Sequence, residues 1–153
     1  MVEHGAIVSV PHSGTHTLLH HLGWQSIWGQ AIDSTPDVPV IMDHVWGWKG
    51  AKGGVLMADN WADLLTGRRA FMPVRDPAEL AWAWPNVHNR ALALLKSTLT
   101  EACKLLRLVP TIELVDIREL SAKNVKGTGE RDNDTGAELL EAFPLYFGAY
   151  YGG

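Results

Sequence analysis

The chain has 153 residues, 46% of them hydrophobic, which is enough for one core and too few for two comfortable domains, so a single domain over residues 1–153 is expected. Its 13 Lys and Arg stand against 17 Asp and Glu, a net charge of -4, which excludes a generally basic nucleic-acid binder and makes any anion site local. One cysteine, Cys103, excludes an internal disulfide framework and fits a reducing compartment, and no run approaches the ~18 apolar residues of a membrane helix, so a soluble cytoplasmic protein without a membrane partner is expected.

The first apolar run, Ala6-Ile7-Val8-Ser9-Val10, predicts a strand. Pro11-His12-Ser13-Gly14 then turns sharply into Thr15-His16-Thr17-Leu18-Leu19, whose spacing is helical. A strand, a loop of small residues and a helix N-terminus aim several backbone N–H groups at one point, which suits an anion. Ser13, Thr15 and Thr17 add hydroxyls, and Gly14 permits a close backbone approach. The nucleotide-triphosphate form of such a loop ends in Gly-Lys-Ser/Thr; here Thr15 follows Gly14, which argues against an ATPase or GTPase.

PHSGTHTL instead resembles the phosphosulfate-binding loop of the P-loop sulfotransferases, commonly Pro-Lys-Ser-Gly-Thr-Thr followed by an aromatic or aliphatic residue. Pro11, Ser13, Gly14, Thr15 and Leu18 match; His12 stands where the family has lysine, and His16 where a second threonine is common. The resemblance assigns residues 12–17, that is His12, Ser13, Gly14, Thr15, His16 and Thr17, to the 5′-phosphosulfate of the donor. It also gives His12 the lysine's catalytic task of placing positive charge on the oxygen bridging phosphate and sulfate. Histidine does that only when protonated; its reference pKa is ~6.5 and a bound polyanion raises it, so donor affinity is expected to weaken as pH rises.

Trp24 to Pro39 reads as a loop with a short extended piece at Ser26 to Ile32. Val38 to Met42 predicts a second buried strand ending at Asp43-His44, the edge of a parallel sheet where ligands bind. VIMDHVW resembles the sulfotransferase strand that ends in a catalytic base, which assigns His44 to take the acceptor's proton; a hydrogen-bonded structural histidine is the plainer alternative. Trp46 to Gly54, with Lys49 and Lys52, predicts a mobile glycine-rich loop over the same edge. Val55 to Leu65 predicts a short helix, with Asn60 a candidate cap and Gly67 ending it.

Ala70 to Val74 predicts a third strand running into Arg75-Asp76-Pro77-Ala78-Glu79, where Asp76 caps a helix, Pro77 suits its first position and Glu79 completes a capping box. VRDPAELAWA resembles the sulfotransferase segment that binds the donor's 3′-phosphate, which assigns that role to Arg75; the serine expected eight residues later is Ala83. Arg75 equally suits a salt bridge to a neighbouring carboxylate. Asn86 to Leu108 carries leucines at intervals of three and four and predicts the longest helix. Thr111 to Val115 predicts a fourth strand, followed by an acidic turn at Asp116 to Leu120. Ser121 to Asp134 predicts an irregular stretch holding Lys126-Gly127-Thr128-Gly129, Thr135 with Glu138 opens a helix to about Phe143, and the aromatic tail Pro144 to Tyr151 packs down. The seven tryptophans, six of them paired at Trp24/Trp28, Trp46/Trp48 and Trp82/Trp84, suit core packing or an acceptor pocket.

The expected fold is a three-layer α/β P-loop type with a mainly parallel sheet of four or five strands. The resemblance implies sulfuryl transfer from 3′-phosphoadenosine 5′-phosphosulfate, as co-substrate and with no metal required, to a hydroxyl or amine of a small-molecule or glycan acceptor. The chain is shorter than most sulfotransferases, so the resemblance implies acceptor-binding insertions that are either reduced or supplied by a second copy or a partner protein. Two other classes fit the same residues: a non-catalytic P-loop nucleotide or phosphate binder, and a metal site on His12, His16 and His20.

Overall fold

Apolar runs without alternation, such as Ala6-Ile7-Val8, belong to parallel strands covered on both faces. The computed structural model describes residues 4–31, 37–47, 56–120 and 129–152. Its strands are β1 (Gly5–Ser9), β2 (Trp28–Gln30), β3 (Val40–His44), β4 (Arg69–Val74) and β5 (Glu113–Asp116), forming one all-parallel sheet in the order β2-β3-β1-β4-β5. The helices are α1 (Thr15–His21), α2 (Ala58–Leu64), α3 (Pro77–Asn86), α4 (Leu92–Leu108), α5 (Asn133–Ala142) and α6 (Pro144–Tyr151).

β1 is central and buried along its whole length. Ile7 faces a cluster with Val40, Met42, Phe71 and the α1 residues Leu18 and Leu19. Ala6 and Val8 face the larger cluster, where Ile41, Ala70 and Met72 meet Trp61 of α2, Trp84 of α3, Leu99 of α4, Leu139 of α5 and Phe147 of α6. The protein therefore has three layers: α1, the sheet, and the other helices. Among the described residues no helix is long and apolar enough to cross a membrane.

Several local expectations shift. The helix expected over Asn86 to Leu108 begins instead at Leu92, because α3 ends at Asn86, Arg90 N–H folds back to the Trp84 carbonyl (2.8 Å), and Asn89 takes a left-handed φ of 52°. Pro85, inside α3, has no N–H to carry the helix on. Asn60 lies at the third position of α2 and accepts from the Met57 N–H (3.0 Å), so the helix starts at Ala58. α5 is capped by Asp132, which accepts from the Thr135 N–H (3.1 Å), not by Thr135. Glu79 does not complete a capping box; its Oε1 pairs with Arg75 (3.7 Å) and accepts from the Gly129 N–H (3.3 Å). The aromatic tail is helical, burying Tyr146 and Phe147. The loop carrying Lys49 and Lys52, and the Lys126 to Thr128 stretch, lie outside the described residues.

The chain leaves β1 toward β2 on one side and β4 toward β5 on the other. Where connections diverge this way, the loops beyond the carboxyl ends of the strands leave a crevice.

Candidate functional site

That crevice is a cavity of about 530 Å³ lined by His12, Gly14, Thr15, His16, Thr17, His44 and Arg75, together with His88, Trp28, Gln30, Met42 and Asp43. Five separate stretches of sequence supply its polar groups: the β1–α1 loop, β2 with Gln30, the end of β3, the β4–α3 junction and the turn after α3 with His88.

The loop is shaped from below. Ser13 directs both its N–H (3.2 Å) and its hydroxyl (2.6 Å) to the Val10 carbonyl, Trp84 Nε1 donates to the Pro11 carbonyl (3.2 Å), and Arg75 Nη1 donates to the His12 carbonyl (3.0 Å). Among the described residues no side chain caps α1, and its first three residues, Thr15, His16 and Thr17, line the cavity. α1 has only seven residues, so its dipole is a minor contributor beside the side-chain charges. Gly14 is required twice over: its φ of 103° is left-handed, and a Cβ there would stand 2.7 Å from Ile117 Cγ2. His12 adopts a φ of 69° without being glycine, a local strain held in place by the contacts around it.

His12 stacks on His88 with ring centroids 3.3 Å apart and meets the Trp84 ring edge-on at 5.8 Å. Burial, then the nearby His88, Arg90, His44 and Arg75, push its pKa down to about 3. The expected fixed positive charge is therefore absent from the unliganded protein near neutrality, which corrects the expectation of a readily protonated His12. Removing a ring from water disfavours the imidazolium, and neighbouring cations disfavour it further.

His44 closes β3 with its ring nitrogen Nδ1 2.8 Å from Ser9 Oγ, and Ser9 Oγ lies 2.7 Å from Thr15 Oγ1. Burial lowers its pKa; Asp43 opposes that shift, while Arg90 and His16 add to it. The Trp61 indole N–H fixes the His44 carbonyl (3.1 Å), and the Trp46 ring lies edge-on to the imidazole at 5.4 Å.

Arg75 is wholly buried; it forms the salt bridge that was one of the two sequence alternatives, to Glu79 (3.7 Å), and it also lines the cavity. Asp76 caps α3 through the Ala78 N–H (2.8 Å) and pairs with Arg131 (2.8 Å). Ala83, at the position of the expected serine, is buried and does not line the cavity.

Ser13 needs correction: expected to offer its hydroxyl to an anion, it is fully buried and spends that hydroxyl on Val10. Of the metal alternative, among the described residues no group of three His, Cys, Asp or Glu is arranged to hold a metal ion, so His12, His16 and His20 do not come together as one. Of the tryptophans, Trp24 takes the expected core role by packing on Phe71, and Trp28 lines the cavity. Sequence reasoning missed Ser9, His88 and Arg90. The turn residues Pro85 and Asn89, which return the chain to the cavity, were the available signal for the last two. No family model matches the chain, and no curated protein matches it.

Proposed function

We propose that the protein binds 3′-phosphoadenosine 5′-phosphosulfate in this cavity and transfers the sulfuryl group to a hydroxyl or amine acceptor. The observation that supports this reading is that one cavity gathers the loop residues His12 and Gly14 to Thr17, the strand-end His44 and the strand-end Arg75. Such a transfer demands alignment and neutralisation of charge on the leaving phosphate, with little covalent work by the protein. The loop N–H groups and the Thr15 and Thr17 hydroxyls hold the phosphosulfate, and Arg75 attracts the 3′-phosphate. The acceptor oxygen or nitrogen attacks sulfur, its proton passes to neutral His44, and the bond from sulfur to the bridging oxygen breaks to release adenosine 3′,5′-bisphosphate. Neutral His12 offers the bridging oxygen an N–H instead of a full charge.

Calorimetry comparing adenosine 3′,5′-bisphosphate with AMP tests the donor site. A charge-assisted arginine–phosphate contact contributes on the order of 2–3 kcal/mol, so the bisphosphate should bind about 30- to 150-fold tighter. Equal affinity removes Arg75 from the donor site. A second reading, binding without turnover, draws support from the Arg75–Glu79 pair and the neutrality of His12. Tight bisphosphate binding with no transfer of labelled sulfate to any hydroxylated or amino acceptor would favour it.

A further inference from the structure

We propose that Ser9 is a positioning residue that couples anion binding at Thr15 to the state of His44 in which Nε2 is free to accept a proton. This rests on the reading that the cavity takes a polyanion. Ser9 ends the central strand, and its register partner on β3 is His44. Both lie on the sheet face covered by α1, whose first residue is Thr15. Ser9 is wholly buried and Thr15 nearly so, and the chain runs from Thr15 Oγ1 through Ser9 Oγ to His44 Nδ1 at 2.7 and 2.8 Å, its Ser9–Thr15 link buried and its His44 end half-buried at the cavity.

Where the single Ser9 hydrogen is used within this chain, it goes either to Nδ1 or to Thr15, which gives two directions. In one, Thr15 donates to Ser9 and Ser9 donates to Nδ1; Nε2 then carries the ring hydrogen of neutral His44 and cannot act as a base. In the other, Nδ1–H donates to Ser9 and Ser9 donates to Thr15; Nε2 is then bare, and the Thr15 hydrogen turns toward the cavity. An anion at the loop accepts that hydrogen and fixes the second direction. By linkage, a His44 held in that tautomer favours the anion in return. The Ser9 carbonyl, which accepts from the Val45 N–H (2.9 Å), favours the charged His44 ring and so opposes the effect of burial. Of the charged groups around the ring, Asp43 favours the imidazolium, whereas Arg90 and His16 oppose it, and His12 is itself neutral. The coupling therefore operates on a neutral ring.

Long-range ¹H–¹⁵N spectra of ¹⁵N-histidine-labelled protein, with His44 assigned by its loss in His44→Gln, read the tautomer directly. The parent should show Nδ1–H as the major form, and adenosine 3′,5′-bisphosphate should drive it to completion. Ser9→Ala should raise the Nε2–H fraction and leave it unmoved by the bisphosphate, Thr15→Val should abolish the ligand response, and Ser9→Thr, which keeps the hydroxyl, should restore it. In a transfer assay, Ser9→Ala should lower kcat by roughly 10–100-fold, as loss of an orienting partner does, with KM for the donor within about threefold. Identical His44 tautomers in the parent and Ser9→Ala, both with bisphosphate bound, overturn the coupling while leaving the donor site intact. Absence of bisphosphate binding overturns the polyanion reading and the coupling with it; the tautomers of the two free proteins then still decide whether Ser9 orients His44.

Discussion

His12 occupies a strained left-handed conformation, with its ring flat against His88 and its pKa pushed down to about 3 by burial and by nearby cations. A donor that raises this pKa binds more tightly only as pH falls through the raised value toward 3, and its affinity is flat above it. Calorimetry from about pH 7 to 8.5 should therefore show bisphosphate affinity unchanged within about twofold, and His12→Gln, one neutral donor for another, should bind within about threefold of the parent. The same residue affects stability. Its folded pKa lies below the ordinary 6.5, so the unfolded chain takes up the proton first, and His12 destabilises the fold progressively as pH drops from about 6.5 toward 3. Acid melting curves should be less steep in pH for His12→Gln than for the parent. His44 is also shifted down, by burial first, so it stays neutral below its usual range. Turnover should hold constant from neutrality downward past pH 6.5 before it falls, and His44→Ala should keep bisphosphate binding while losing roughly 10²–10⁴ in rate.

Among the elements, the three central strands were legible because burial on both faces leaves an unbroken apolar run, and β1, β3 and β4 fall within a residue or two of where Ala6, Val38 and Ala70 announce them. The division between α3 and α4 was missed, since the leucine spacing of α4 outweighed the turn signals at Pro85 and Asn89. Only the turn at Asn89 and Arg90 stops it, and that turn brings His88 to the cavity. Ser13 was misjudged because residue type states what a hydroxyl is able to donate and not which carbonyl lies beneath it. Gly14, by contrast, was legible, and its role is testable against a control. Gly14→Ala incurs both the left-handed penalty, about 1–2 kcal/mol, and the clash with Ile117, whereas Gly23, at a φ of 72° with nothing within 4 Å, incurs the penalty alone. Each kilocalorie lowers Tm by about 2–4 °C in a chain of this size. Gly23→Ala should therefore melt a few degrees lower with bisphosphate affinity intact, and Gly14→Ala should melt lower still and lose binding. Equal affinities in the two variants would show that the loop's close approach to Ile117 does not shape the site.

At the scale of the molecule, an acidic chain of net charge -4 concentrates Arg75, Arg90, His12, His16, His44 and His88 in or beside one cavity, against Asp43 as the carboxylate among its lining residues. The strand order makes this concentration possible. Because β1 stands between β3 and β4, residues far apart in sequence meet at adjacent strand ends, and a ligand that touches the loop, His44 and Arg75 spans β1, β3 and β4 together. Such a ligand cannot stay bound once any of those strands separates, so its binding energy appears as stability of the whole sheet. At a ligand concentration of 100 Kd the gain is ~2.7 kcal/mol, which for a domain of this length corresponds to a rise in Tm of roughly 5–11 °C. Thermal melting with adenosine 3′,5′-bisphosphate should show a shift of that size as a single sharp transition, with AMP needing a far higher concentration to match it. Sodium chloride at the same ionic strength should give no comparable shift, because a built site recognises the spacing of phosphates and a diffuse field responds only to ionic strength. A shift reproduced by salt alone would mean that general charge screening stabilises the fold and that the cavity holds no phosphorylated ligand.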